Sequence, residues 1–300
     1  MRADLSFASL VLAASITVCI DVHLCGGYPG TPPLAFVPTD RDEGVLPPRG
    51  GEGRIAFLSP PELEPGAPNE IRRGLPPRTV VLTYHDVIER RDGRDLWFDC
   101  TAGELREQIR WLKRRGAHFI TLDQLYAHLA KGASLPTHPV AVTFADNYLG
   151  FWERGYPVLR AEGVPVAMFV HTGYVGDRSH GRPKMDWDQL RSLDREGLVT
   201  IGSQTVSHPT DLRRLSTAEL RKEMEESKRE LERQLGHTVS YFAYPNGKFN
   251  AAAMRAAQAA GYLMAMTEVT RPAEASPSLF AVNRYVHTRY RQGWREAGGR

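Results

Sequence analysis

Ala141-Val142-Thr143-Phe144-Ala145-Asp146-Asn147-Tyr148 is the stretch on which the fold turns. The apolar, β-branched run 140–144 predicts a strand, and Asp146 just beyond it reads, taken alone, as an N-cap for whatever follows. Working outward, strand and helix signals alternate. Residues 79–84 predict a strand. Thr101 and Glu104 make a capping box for an amphipathic helix that carries Leu105, Ile109 and Leu112 and stops at Gly116. A strand at 118–121 and a helix at 123–131, ended by Gly132, lead into the central strand. Beyond it come a helix at 156–161 stopped by Gly163, a strand at 166–170, a helix at 187–195 and a strand at 198–203. Ser216 and Glu219 cap a long charged helix that ends before Gly236; a strand at 239–244, an Ala-rich helix at 251–260 and strands at 262–267 and 280–286 follow. Strands alternating with helices imply an α/β fold with a parallel sheet, and at this length the closed solution is a distorted (β/α) barrel with its chemistry at the C-terminal strand ends.

The chain of 300 residues, 42% hydrophobic with net charge +3, holds one barrel-sized domain and a tail. No Lys/Arg block interleaves with aromatics, so nucleic acid is not an expected partner. Residues 1–25 contain a basic start and a largely apolar run over 5–20, the pattern of a signal peptide or signal anchor; export follows, to the periplasm, the exterior or the cell envelope, with membrane attachment through the N-terminus as an option. Cys19 and Cys25 follow Val18 and Leu24, which are bulkier than the small residue preceding a lipidated cysteine. Residues 26–77 are dense in Pro, Gly and charge and read as a linker, leaving 78–300 as the folded domain. Cys100 is the one cysteine in that domain, so a disulfide framework is excluded and a small buried residue is expected.

Several motifs in order carry a family resemblance. Thr143-Phe144-Ala145-Asp146-Asn147-Tyr148 resembles the Thr-Phe-Asp-Asp-Gly-Tyr strand end of the polysaccharide deacetylases of carbohydrate esterase family 4, the NodB-homology group. Gln204-Thr205-Val206-Ser207-His208 resembles that family's His-Ser/Thr-x-x-His motif, and the Tyr84-His85 strand resembles the poly-N-acetylglucosamine deacetylase branch. Tyr241 to Gly247 resembles the Phe-Ala-Tyr-Pro-Tyr-Gly strand end, and Met185 to Leu190 a segment bearing an aromatic wall. The resemblance implies the NodB-type barrel and a divalent metal, zinc first, on Asp146, His208 and the position held by Gln204. It also implies His85 as proton donor, the backbone N–H of Asn246 facing an oxyanion, Trp187 beside the acetyl methyl, and Tyr84 and Tyr244 along a groove for N-acetylglucosamine-containing glycan.

Two departures bear on activity. Ala145 stands where the family has its general base, and a side chain without a proton acceptor cannot serve there. Gln204 stands where a metal-binding imidazole belongs, so the metal is expected to be weak or absent. Asp86 and Asp211, each near a motif histidine in sequence, are the carboxylates available to substitute, with Asp86 reading first as a partner for His85. His171 also ends a strand over the expected pocket, though an ordinary strand-end histidine is the simpler reading. Three functions follow from this: a glycan-binding protein with impaired catalysis, an active metal-dependent N-deacetylase of an exopolysaccharide or peptidoglycan, or a hydrolase of the same fold with another metal set or substrate.

Overall fold

The computed structural model describes residues 69–76, 78–93 and 95–300. The leader and most of the linker expected from the sequence lie outside the described residues. Asn69 to Gly74 run along the barrel, with the Arg72 N–H donating to the Leu129 carbonyl at 2.8 Å and the Leu279 N–H to the Asn69 carbonyl at 3.0 Å.

Among the described residues ten strands and seven α-helices follow one another, largely in alternation. In chain order they are β1 (Val80–Tyr84), β2 (Val87–Ile88), β3 (Cys100–Thr101), α1 (Ala102–Arg114), β4 (His118–Ile120), α2 (Leu122–Lys131), β5 (Pro139–Ala145), α3 (Tyr156–Glu162), β6 (Val166–Val170) and α4 (Trp187–Arg195), followed by β7 (Val199–Ser203), α5 (Thr217–Leu235), β8 (Tyr241–Ala243), α6 (Ala251–Ala259), β9 (Met264–Met266), β10 (Tyr285–Val286) and α7 (Tyr290–Glu296). The helices start where their caps dictate. Thr101 with Glu104, Thr121 with Gln124, Asp186 with Gln189 and Ser216 with Glu219 each close a reciprocal capping box, and Gly132 and Gly236 end α2 and α5 in the left-handed conformation open to a residue without Cβ.

The main sheet runs β10-β1-β5-β6-β7-β8-β9, all parallel, with β4 beside β5. β5 is buried along its whole length. One edge pairs with β1; the other is shared, with β4 opposite Pro139–Ala141 and β6 opposite Val142–Ala145. This sharing staggers the barrel. The sheet curls until Val282, just ahead of β10, bridges Met266 of β9, with the Val282 N–H donating to the Ala265 carbonyl at 2.9 Å. The distorted (β/α) barrel expected from the alternation is the fold observed.

Two stretches differ from the sequence reading. Residues 280–286 form a short turn of helix and only a two-residue strand, because Phe280 and Ala281 tuck into the core through a turn capped by Ser278. α7, unmarked by any capping motif, closes the bottom of the barrel with Gly293 against Val80 and Tyr285, where a Cβ would come within 3.1 Å of both side chains. Cys100 is buried and free, and burial pushes its thiol well up, so it is inert packing.

Candidate active site

Strained backbone gathers at the C-terminal strand ends. Of six non-glycine residues with positive φ among the described residues, five lie there: Asp146, Asn147, Thr205, His208 and Asn246. Each such residue costs about 1–3 kcal/mol and persists only where its surroundings over-determine it. At the end of β5 the surroundings are polar and buried. The Asp146 carbonyl accepts from His171 Nε2 at 3.1 Å and from Lys184 Nζ at 2.9 Å, while the His171 N–H donates to Asn147 Oδ1 at 3.3 Å. Lys184 is itself buried, its ammonium 3.5 Å from the centre of the Tyr148 ring. Burial pushes the Lys184 ammonium down to about 8 and the His171 imidazole down to about 3, so at neutral pH the first is mostly charged and the second neutral.

Asp146 and His208 converge. His208 Nε2 lies 3.4 Å from Asp146 Oδ1, which is the spacing of two ligands about 2.0–2.1 Å from a shared tetrahedral zinc. Burial by itself would raise the Asp146 carboxyl, but the nearby His208, His85 and His171 imidazoles outweigh it and hold the group well below the usual carboxylate range. Gln204 breaks the pattern. Its Oε1 accepts from the Asp146 N–H at 2.9 Å, which turns its Nε2 toward His208 Nε2 at 3.3 Å. An amide N–H₂ has no lone pair to give a metal, and here it competes for the imidazole lone pair that a metal would use. Among the described residues no group of three His, Cys, Asp or Glu side chains could hold a metal ion. The residues present therefore do not fit a three-ligand zinc centre.

Thr143 and Ala145 share one face of β5, since side chains alternate along a strand. Below Ala145, Arg284 Nη1 donates to Thr143 Oγ1 at 3.3 Å and Arg284 Nε donates to the Thr267 carbonyl at 2.7 Å. This guanidinium is 1% exposed, and burial pushes it down to about 10 against the opposing pull of Glu268 and Asp146. Glu268 reaches the same pocket from the end of β9, its Oε1 4.0 Å from His85 Nε2. His85 lies against the Phe98 ring at 4.7 Å, and its Nδ1 is buried without a partner. Burial lowers the His85 imidazole, which leaves it neutral at pH 7.

The sequence reading missed Glu268, Arg284, Lys184 and Phe98. Two carried a usable signal: Glu268 directly follows a strand end, and Arg284 is a charge inside an apolar stretch. Asp86, expected beside His85, instead takes Arg182 Nη1 on Oδ2 at 3.2 Å and leaves Oδ1 without a partner. Asp211 caps a surface turn and pairs with Arg213 at 2.7 Å. Neither carboxylate serves the motif histidines. Tyr84 and Tyr244, expected along the groove, are corrected too: both are fully buried. Tyr84 stacks on Phe144 and His287 with its hydroxyl on Gln108, and the Tyr244 hydroxyl donates to the Phe280 carbonyl. Trp187 is half-buried at the start of α4, and Asn246 is exposed in a left-handed turn after Pro245.

Residues 132–265 match the family model described as polysaccharide deacetylase. Bacillus subtilis YxkH, which bears a polysaccharide deacetylase name, is 23% identical over 71% of this chain and 73% of its own length. The poly-β-1,6-N-acetyl-D-glucosamine N-deacetylase of Staphylococcus aureus is 26% identical over 51% of this chain, which spans only 55% of that relative. The structure of IcaB from Ammonifex degensii superposes with a TM-score of 0.64 at 25% identity, covering 73% of this chain and 97% of that one. With the motif order and the parallel barrel already in place, residues 132–265 are a polysaccharide deacetylase domain by its family model, set in a NodB-type barrel, and the chain is similar to the poly-N-acetylglucosamine deacetylases.

Proposed function

We propose that this is an exported protein of the cell envelope that holds N-acetylglucosamine-containing glycan at the C-terminal strand ends and has lost most of its deacetylase chemistry. The observation that carries this reading is the Gln204 amide, locked to the Asp146 N–H and presenting a donor where a ligand belongs. Ala145 supports it from the other side of the same pocket, because losing a general base costs on the order of 10²- to 10⁴-fold in rate. The apolar leader run supports export. The test pairs chitotetraose binding by calorimetry with acetate release from the same oligosaccharide. Millimolar or tighter binding with acetate release at background is the expected result; efficient release sinks the impaired reading, and absence of binding sinks the glycan reading.

Glu268 favours a second reading, an active deacetylase. A neutral imidazole facing a carboxylate can accept a proton and have the resulting charge stabilised, which gives the His85–Glu268 pair a route around Ala145. In that case acetate release is measurable in the unmodified protein and Glu268→Gln abolishes it. Equal release by the two proteins removes Glu268 from the chemistry.

A further inference from the structure

Leu96, Trp97 and Val269 are the large apolar side chains left exposed among the described residues, Trp97 at 66%. Their positions are not scattered. Val269 follows Glu268, and Trp97 joins the site through two ring contacts, Trp97 on Phe98 at 5.5 Å and Phe98 on His85 at 4.7 Å.

The indole is held out by a built turn. The Asp99 N–H donates to the Leu96 carbonyl at 3.0 Å, the Leu96 N–H donates back to Asp99 Oδ2 at 2.6 Å, and the Phe98 carbonyl accepts from His287 Nε2 at 3.1 Å. Asp99 is fully buried and clamped by both Arg182 amino groups, at 2.5 and 2.7 Å. A tryptophan fixed in water this way is unfavourable for the free protein, and its rigidity removes the ordering cost from whatever covers it. Beside the turn runs a cleft of about 710 Å³ whose lining includes Asp86, Ile88, Asp95, Leu149, Arg154 and Arg182.

We infer that Trp97 is the stacking platform of an outer glycan subsite, one sugar unit beyond the His85 end of the pocket, and this rests on the glycan reading above. A pyranose ring has an apolar C–H face that matches an indole, while its rim of hydroxyl and amide groups needs hydrogen-bond partners; the carboxylates and guanidinium groups of the cleft provide them. The surroundings favour a sugar over an acyl chain or a second copy of this chain. The apolar patch is small, and residues 89–99 carry Glu89, Arg90, Arg91, Asp92 and Asp95 around it.

The test titrates the full chain with chitobiose and chitotetraose, alongside Trp97→Ala and Trp97→Tyr. Expected are a tetraose affinity about tenfold weaker in Trp97→Ala, which is ~1.4 kcal/mol, most of it regained in Trp97→Tyr, and a biose affinity unchanged. Acrylamide quenching of the exposed indole should fall when tetraose is present. Tetraose affinity equal in the wild type and Trp97→Ala overturns the subsite while leaving the glycan reading intact. Trp97→Ala that lowers adsorption to phosphatidylglycerol vesicles, with glycan affinity unchanged, assigns the turn to a membrane surface instead. A wild type that binds neither oligosaccharide overturns the glycan reading itself.

Discussion

At the scale of single residues the site is a matter of which lone pairs are free. His208 and Asp146 stand at ligand spacing, but Gln204 occupies the third corner with the wrong end of an amide. Zinc titration of the purified protein should therefore give micromolar affinity or poorer, and a tight stoichiometric site would mean that another donor has moved in. Ala145→Asp places a carboxylate above the buried Arg284, and Gln204→His restores an imidazole beside His208. Because groups that act on one reaction step are strongly non-additive, the double variant should gain activity well beyond the product of the single gains. Adding His85→Ala should abolish that gain. Acetate release measured across the wild type and these four variants decides it, and additive single gains would show that the two positions act on separate steps.

At the scale of elements, β7 carries the second motif and is shaped by a glycine. A Cβ on Gly202 would sit 2.7 Å from the Phe169 ring and 3.0 Å from the Tyr241 carbonyl, so neither neighbour can yield without moving β6 or β8. Gly202→Ala should destabilise by about 1–3 kcal/mol as an overpacked core position. It should also displace Gln204, whose N–H hangs on the Val170 carbonyl at 2.8 Å. Urea denaturation reads the first effect, and an unchanged midpoint would mean that the strands have slack. Capping boxes and glycine stops made α1, α2, α3 and α5 readable, since those signals are local. β8 and β9 are shorter than their apolar runs, at Tyr241–Ala243 and Met264–Met266.

At the scale of the whole molecule, burial of uncharged imidazoles ties stability to pH. His287 is 1% exposed, stacked on Tyr84, and burial pushes it down to about 4 from an ordinary 6.5. Between those values the unfolded chain binds the extra proton, so stability rises with pH through the window and is lost as pH falls from 6.5 toward 4. The full loss from this group is ~3 kcal/mol. The urea midpoint should drop on acidification through that range, and His287→Phe, which keeps a ring on Tyr84, should flatten the drop. A slope unchanged in the variant would place the acid sensitivity elsewhere. Periodicity and caps determined by themselves the alternating elements and the parallel barrel, because those signals are written in neighbouring residues, and the family resemblance marked the strand ends that bear the motifs and the two positions, Ala145 and Gln204, that depart from them. Only the tertiary structure decided which carboxylate meets His85, that Asp86 answers to Arg182, that Arg284 lies buried beneath Ala145, and that Tyr84 and Tyr244 are core. Those outcomes depend on side chains from β1, β5, β9 and β10 meeting inside a staggered barrel, and pairing across such distances leaves no periodic mark in the chain.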